Sequence, residues 1–433
     1  MPKSIVTYID LFAGLGGIRL GFSRGFAVNG IETKCLLSSE IKDYAIKVYQ
    51  GYYGDEDIKG DITKIEVKDI PDFDYLLAGF PCQPFSSAGS RKGFLDTRGT
   101  LFFEIERILK GKIDSGRPVK GFLLENVEGL INHENGDTLK TIISHLEELG
   151  YHVNYKLIDA QYFGLAQSRK RVYIVGSLTS KIGLDDFEVE STTLGEILDT
   201  GLPTTDSKLT KLLLKNYTVD ELKGKSIKDK RGGSDNIHSW EIELKGETSK
   251  QERKLLNAML KERRKKHWAE EIGITWMDGM PLTTEQIRTF FDVPNLQEML
   301  DKLTEQGYLS YEHPKEQMVN EQGAKIRVPD DTKPKGYNIV AGKLSFEFSK
   351  ILDPNELAPT LVAMDVSKLG VVDGDGIRPL TIKECQRLCG YPDDYNLSTI
   401  KETEAYDLLG NTVCVPVIEK ISERMAVEWK KTK

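Results

Sequence analysis

Between residues 4 and 176 short apolar runs alternate with longer stretches of helical period, the rhythm of strand and helix in turn. The runs are Ile5-Val6-Thr7-Tyr8-Ile9, Tyr75-Leu76-Leu77-Ala78, Gly121-Phe122-Leu123-Leu124 and Arg171-Val172-Tyr173-Ile174-Val175. Such an alternation predicts a doubly wound, Rossmann-like α/β sheet. From about residue 180 the rhythm is lost, and the chain turns polar and lysine-rich, with breaks at Gly232-Gly233 and from Pro329 to Pro334. A second, mostly irregular domain is therefore expected over 180–377, inserted into a first that comprises 1–179 and 378–433. Near the end of the chain Ile418, Ile421, Met425 and Trp429 share one helical face, which predicts a last helix packed back on the first domain.

Within the insert, 283–291, 295–306 and 308–311 read as helix, helix and strand, the order of a winged helix-turn-helix, so about 250–315 is a candidate winged-helix-like subdomain. Its second helix sets Glu298, Asp301 and Glu305 against Lys302 alone, which suits a structural or partner-binding role better than major-groove reading.

Composition narrows the classes. The 433 residues suffice for two or three domains, and 39% apolar with 29% charged residues is ordinary for a soluble globular chain. Met1 to Ser4 lack the features of a signal peptide, and no run approaches the roughly 20 apolar residues that span a bilayer. A soluble, cytoplasmic protein with no membrane contact is expected. Five scattered cysteines (35, 82, 385, 389 and 414) lack paired spacing, so neither a disulfide framework nor a metal site is expected, and any special cysteine should be catalytic. The net charge of -8 excludes a uniformly basic nucleic-acid binder. Locally, Lys250 to Trp268 carries eight Lys or Arg against Glu252 and Glu262, either a phosphate-binding face or a solvated helix face.

Chemistry enters at the predicted strand ends. Asp10-Leu11-Phe12-Ala13-Gly14-Leu15-Gly16-Gly17 follows the first strand and opens a helix, where glycines let the backbone turn sharply and approach a ligand. Its GxGG spacing departs from the dinucleotide GxGxxG. Glu40, 24 residues after Gly16, follows a second apolar run, as a carboxylate for ribose hydroxyls does. Gly60-Asp61-Ile62 is expected at the third strand. Gly79-Phe80-Pro81-Cys82-Gln83-Pro84-Phe85-Ser86 puts a proline-framed thiol beyond a strand's carboxyl end, where such sheets bind ligands. Leu123-Leu124-Glu125-Asn126-Val127 ends an apolar strand in a carboxylate, which is paired or functional when buried. Gln167-Ser168-Arg169-Lys170-Arg171 leads into the last strand.

In this order, together with Arg98-Gly99-Thr100-Leu101, Arg378 to Pro392 and Gly410-Asn411-Thr412-Val413, these segments resemble the bacterial DNA cytosine-5 methyltransferases. The resemblance covers 4–178 and 378–430. It implies a methyltransferase domain that uses S-adenosylmethionine and an insert that recognises the target sequence. Around the cofactor it implies Phe12, Gly14, Gly16, Gly17, Glu40, Ile41, Asp61, Ile62, Pro81, Leu101, Asn411 and Val413, with Asp61 at the adenine amine and Ile41 against the adenine face. It implies Cys82 as nucleophile, Glu125 at ring nitrogen 3 and Arg171 at the base carbonyl, with Arg169 and Gln167 organising the pocket. Ser87 to Gly99 resembles the family's catalytic loop, and Ser86, Arg91, Lys92, Arg98 and Gln167 are the implied contacts to double-stranded DNA.

Those residue types suit the reaction. Carbon 5 of cytosine is a poor nucleophile until a thiolate adds at carbon 6, and the charge then placed on the ring calls for a carboxyl that can carry a proton. The family also implies a restriction-modification role beside a separate endonuclease, and a monomer. Two other readings stay open: an RNA cytosine methyltransferase, against which the large insert and the Gly79 to Pro84 segment weigh, and a catalytically silent DNA-binding regulator, against which the joint presence of Cys82, Glu125 and Arg171 weighs.

Overall fold

A computed structural model of the chain describes residues 5–54, 57–81, 101–319, 325–341 and 346–431. They form two compact units: Met1–Asp199 with Asp353–Val366 and Leu380–Lys433, and Thr200–Leu352 with Ser367–Pro379. The first unit thus runs past residue 179 and takes back a short stretch late in the insert.

The first unit is built on six strands, β1 (Ile5–Leu11), β2 (Glu32–Ser39), β3 (Tyr75–Gly79), β4 (Gly121–Val127), β5 (His152–Asp159) and β6 (Lys170–Ser177), in the order β2-β1-β3-β4-β6-β5. Strands β1 to β4 pair in parallel, and β6 runs antiparallel to both β4 and β5. Alternate residues of one strand enter opposite layers, as the two-residue period of a strand requires. Tyr8, Leu77, Leu123 and Tyr173 pack with Ile18, Phe22 and Phe26 of α1 (Gly17–Val28) and with the carboxyl-terminal helix Val415–Lys431. Ile9, Leu76, Leu124 and Val172 pack instead with α3 (Phe102–Asp114) and α4 (Asp137–Glu148). Helices cover both faces, and Ile418, Ile421, Met425 and Trp429 are all buried, as their spacing predicts.

Close approach of α1 to the carboxyl-terminal helix depends on Gly21 and Gly25. A β-carbon on Gly21 would stand 2.8 Å from the Val415 carbonyl oxygen, and one on Gly25 2.4 Å from that of Glu419. Both are backbone atoms that cannot swing aside.

Gly60-Asp61-Ile62 is no strand. Asp61 caps a 3-10 turn over Ile62–Lys64, accepting hydrogen bonds from the Thr63 N–H (3.0 Å) and hydroxyl (2.7 Å). A short polar side chain that satisfies the backbone locally competes with strand pairing, which accounts for the difference.

The second unit holds two apolar cores of its own and more regular structure than its composition signals. Helices Thr284–Arg288 and Leu296–Glu305 precede the strand Leu309–Glu312, which pairs antiparallel with Gly336–Ile339. A hairpin of Lys315–Val319 with Lys325–Pro329 lies between those strands in sequence. Local signals hold these short helices: Thr283 and Gln286 form a capping box, as do Ser249 and Glu252.

Candidate active site

The carboxyl ends of β3 and β4 meet at the Gly79 and Glu125 pair, and Val127 pairs with Arg171 of β6. Glu125 is 9% exposed, and the Arg171 Nε lies 3.1 Å from its Oε1. Burial pushes the Glu125 carboxyl above its usual range, with Arg171 and Arg169 pulling the other way. Burial likewise draws the Arg171 guanidinium down, against the attraction of Glu125. For both groups the loss of water outweighs the pairing. A carboxyl held this way is ready to keep a proton and give it to a hydrogen-bond acceptor.

From Gly79 the chain passes through buried Phe80 and exposed Pro81 to Cys82. The Asn126 amide donates to the Phe80 carbonyl oxygen at 3.0 Å, so the residue after Glu125 fixes the segment that leads to the thiol. Cys82 itself, with Ser86, Arg91, Lys92 and Arg98, lies outside the described residues.

Three of the remaining cysteines are poor nucleophiles. Cys385, Cys389 and Cys414 are buried, and burial raises all three thiols. Cys35 is half-buried on β2, with its sulfur 3.3 Å from the Ser38 hydroxyl.

Gln167 and Arg169 brace the site from behind. Arg169, 1% exposed, donates to the carbonyl oxygens of Leu361 (2.8 Å), Gly410 (3.1 Å) and Thr412 (2.5 Å). One side chain therefore ties the strand that carries Arg171 to the turn that carries Asn411 and Val413. Gln167 is fully buried: its amide nitrogen donates to the Leu388 carbonyl (2.8 Å) and its oxygen accepts from the Leu361 N–H (3.0 Å). This corrects its expected place among the DNA contacts, because no polar atom is left to present to a phosphate or base. Backbone bonds from Ala358 to Ala166 and from Ser168 to Ala358 lay the returning stretch along this segment.

The cofactor end lies over β1 and β2. Phe12, Gly14 and Gly16 adopt positive φ (56°, 51° and 68°), and a β-carbon on Gly14 would meet nothing within 4 Å. Glu40 accepts backbone hydrogen bonds from Gly14 (2.8 Å), Ile41 (2.8 Å) and Lys42 (2.9 Å). Two carboxylate oxygens offer about four acceptor positions, so capacity remains for a ligand hydroxyl. Ile41 is apolar yet 71% exposed, a free wall for a flat ring. Asp61, held below its usual pKa range by the Thr63 hydroxyl and N–H, spends Oδ1 on Thr63, while the Lys64 ammonium stands 3.9 Å from Oδ2 at the surface. Ile62 is buried, Leu101 heads α3, and the Val413 side chain packs so close to Gly17 that a β-carbon there would stand 2.8 Å from it. An open glycine turn, a braced carboxylate, an exposed aliphatic and a second carboxylate fit the sugar and base of an adenosine.

Sequence reasoning missed two acids here. Asp159 accepts from the Arg169 N–H (2.9 Å) and the Ser168 hydroxyl (3.0 Å), shaping the turn before β6. Asp407 accepts from Lys42 (2.6 Å), Tyr44 (2.7 Å) and the Asn411 amide (3.0 Å), joining the two ends of the cofactor region. Burial opposes the Asp407 charge, but these bonds prevail and hold its pKa low.

A parallel sheet with one antiparallel strand, a glycine turn after β1 and a carboxylate after β2 define an S-adenosylmethionine-dependent methyltransferase. The profile of the C-5 cytosine-specific DNA methylase family matches residues 6–426, and the chain belongs to that family. It is 56% identical to the Type II methyltransferase M.NlaIV of Neisseria lactamica over 97% of this chain and 98% of that protein. To the Type II methyltransferase M.NgoBV of Neisseria gonorrhoeae it is 54% identical, with the same coverage. Among solved structures, a putative DNA modification methyltransferase encoded within an E. coli prophage superimposes with a TM-score of 0.51 at 18% identity, covering 98% of this chain and 99% of that one, a likeness of fold. The protein is accordingly a DNA cytosine-5 methyltransferase that takes its methyl group from S-adenosylmethionine.

Proposed function

We propose that the protein is the modification enzyme of a restriction-modification pair, and that it methylates a cytosine flipped out of a specific duplex sequence through a covalent adduct at Cys82. The observation that carries the reading is the buried pair of Glu125 on β4 with Arg171 on β6, where Glu125 lies opposite Gly79 at the end of β3, three residues before Cys82. The elevated thiols of Cys385, Cys389 and Cys414 support Cys82 as the nucleophile.

The Cys82 thiolate adds to carbon 6, forming a carbon–sulfur bond. Glu125 donates its proton toward ring nitrogen 3, and Arg171 holds the carbonyl oxygen, so charge on the ring is neutralised as it develops. Carbon 5, now part of an enamine, would take the methyl group as the sulfonium's methyl–sulfur bond breaks and a neutral thioether leaves. Loss of the carbon 5 proton to water then expels the Cys82 thiolate, returns the nitrogen 3 proton to Glu125 and restores the aromatic ring. S-adenosylmethionine supplies an electrophilic methyl on a sulfonium, and Phe12, Gly14, Gly16, Gly17, Glu40, Ile41, Asp61, Ile62, Pro81, Leu101, Asn411 and Val413 would hold it. Glu40 binds the ribose hydroxyls and Asp61 the adenine amine. Arg169 positions these groups and leaves the base to Arg171.

Ser86, Arg91, Lys92 and Arg98 would meet phosphates of the duplex around the flipped base. The second unit chooses the sequence. The Type II designation of the relatives supports a partner endonuclease that shares the target. The proposal adds that this endonuclease does not bind the chain, and that the protein works as a monomer on chromosomal DNA in a bacterial cytoplasm. Bisulfite sequencing of DNA from a host that expresses the chain should show one protected cytosine in a single short sequence. Full conversion at every site would contradict the reading.

A further inference from the structure

The basic run in the second unit carries an inference that rests on a duplex DNA substrate and goes beyond it. Helix Lys250–Glu262 and the turns after it hold the eight cations, and the fold sorts them. Arg253 is bound to Glu243 (2.7 Å), Arg264 to Asp278 (2.8 Å) and Lys265 to Glu262 (2.7 Å). Arg263 is buried and donates to the Asn338 side chain at 2.8 Å. Lys266 stands over the Trp276 ring. Lys250, Lys254 and Lys261 are exposed, and among the described residues none of the three has a carboxylate partner.

These three are not scattered. With Asn257 they fall at i, i+4, i+7 and i+11, which at about 100° per residue puts all four within roughly 60° of the helix surface, on a stripe about 16 Å long. The opposite face, Leu255, Leu256, Met259 and Leu260, is locked in the core of the unit, so the stripe cannot rotate inward. A groove of about 380 Å³ runs beside it, lined by Lys254, Asn257, Ala258, Lys261, Phe290 and Glu262. Its single carboxylate, Glu262, is already engaged by Lys265.

We infer that the stripe Lys250, Lys254, Asn257 and Lys261 grips consecutive phosphates of the substrate duplex and holds it without reading sequence. Ammonium groups are point charges suited to phosphate oxygens and blind to base identity. Three unpaired cations on one face of a chain with net charge -8 concentrate a positive field where an acidic background otherwise repels DNA. The helix Leu296–Glu305 is unsuited to the task. It presents Glu298, Asp301 and Glu305, and its Lys302 is bound to Glu252 at 2.9 Å.

The test is duplex affinity as a function of salt. Each phosphate contact contributes about 0.9 to the slope of log K against log salt, so the combined Lys250→Gln, Lys254→Gln and Lys261→Gln variant should lose about 2 to 3 from it. Affinity should fall by the same factor on cognate and non-cognate duplexes. The matching arginine variant should keep the slope. So should a control that removes three paired lysines away from the stripe, Lys156→Gln, Lys211→Gln and Lys225→Gln, with the same change in net charge. An unchanged slope in the first variant, as for a face that binds an acidic protein, overturns the inference, and so does an equal loss in the control. Methyl transfer to saturating duplex should persist in the stripe variant. If the wild-type protein itself transferred nothing to duplex DNA, the substrate reading would fall instead.

Discussion

In the proposed reaction, Glu125 is the residue whose protonation the chemistry depends on. Its folded-state pKa is raised because burial disfavours the carboxylate more than Arg171 and Arg169 favour it. The proton is therefore fully in place below the ordinary carboxylate range, and both the hydrogen bond it makes and the associated stability are lost as pH rises through the raised value. Single-turnover methylation by the wild-type protein should show an alkaline decline that belongs to this group. Glu125→Gln, which keeps an N–H donor but cannot ionise, should lack that limb, and Glu125→Ala should lower the rate by about 10²–10³. An alkaline limb that survives in Glu125→Gln would assign it elsewhere. A neighbouring residue shows where sequence reasoning stops: Gln167 sits in a basic, surface-like segment, and only the fold reveals that Leu388 and Leu361 consume its amide. Asp407 was equally illegible, since its partners Lys42 and Tyr44 lie more than 360 residues away in sequence.

At the scale of elements, apolar runs were enough to locate the strands that carry Glu125 and Arg171, because a strand buried on both faces has little choice of composition. Their direction was not legible. A two-residue period is the same read either way, so the antiparallel course of β6 emerges only from its pairing with β4 and β5. The return of Asp353–Val366 to the first unit was hidden for a related reason: it is held largely through its own backbone, at Ala358 by Ala166 and Ser168 and at Leu361 by the Gln167 and Arg169 side chains, which asks little of its own side-chain pattern. The last helix was legible from its apolar face, while the closeness of its contact with α1 was not. That contact gives an element-level prediction. Gly25→Ala should destabilise the protein by about 1–3 kcal/mol, seen as a lower urea midpoint, because its β-carbon meets the Glu419 carbonyl at 2.4 Å. Gly14→Ala meets no atom within 4 Å but holds φ at 51°, so its smaller cost would come from backbone strain alone. Equal midpoints for Gly25→Ala and the wild type would show that the two helices can part freely.

Taken as a whole, the molecule comprises two compact units, and the proposal gives one the making of the bond and the other the choice of where it is made. The first could be read at the glycine turn after β1 and at the carboxylates after β2 and on β4, where backbone freedom and buried charge mark the sequence. The second could not, since many surfaces can read DNA, and its composition disclosed only a cluster of charge whose useful face the fold then isolated. The account stands most directly on one bond, between the Cys82 sulfur and carbon 6 of the target base. Duplex DNA should be incubated with methyl-labelled S-adenosylmethionine and either the wild-type protein or Cys82→Ser, then digested to nucleosides and separated. The account predicts label in 5-methylcytosine for the wild type and none for Cys82→Ser, with cofactor binding intact in both. Transfer by Cys82→Ser at a comparable rate, or label on the exocyclic nitrogen of cytosine, would contradict it.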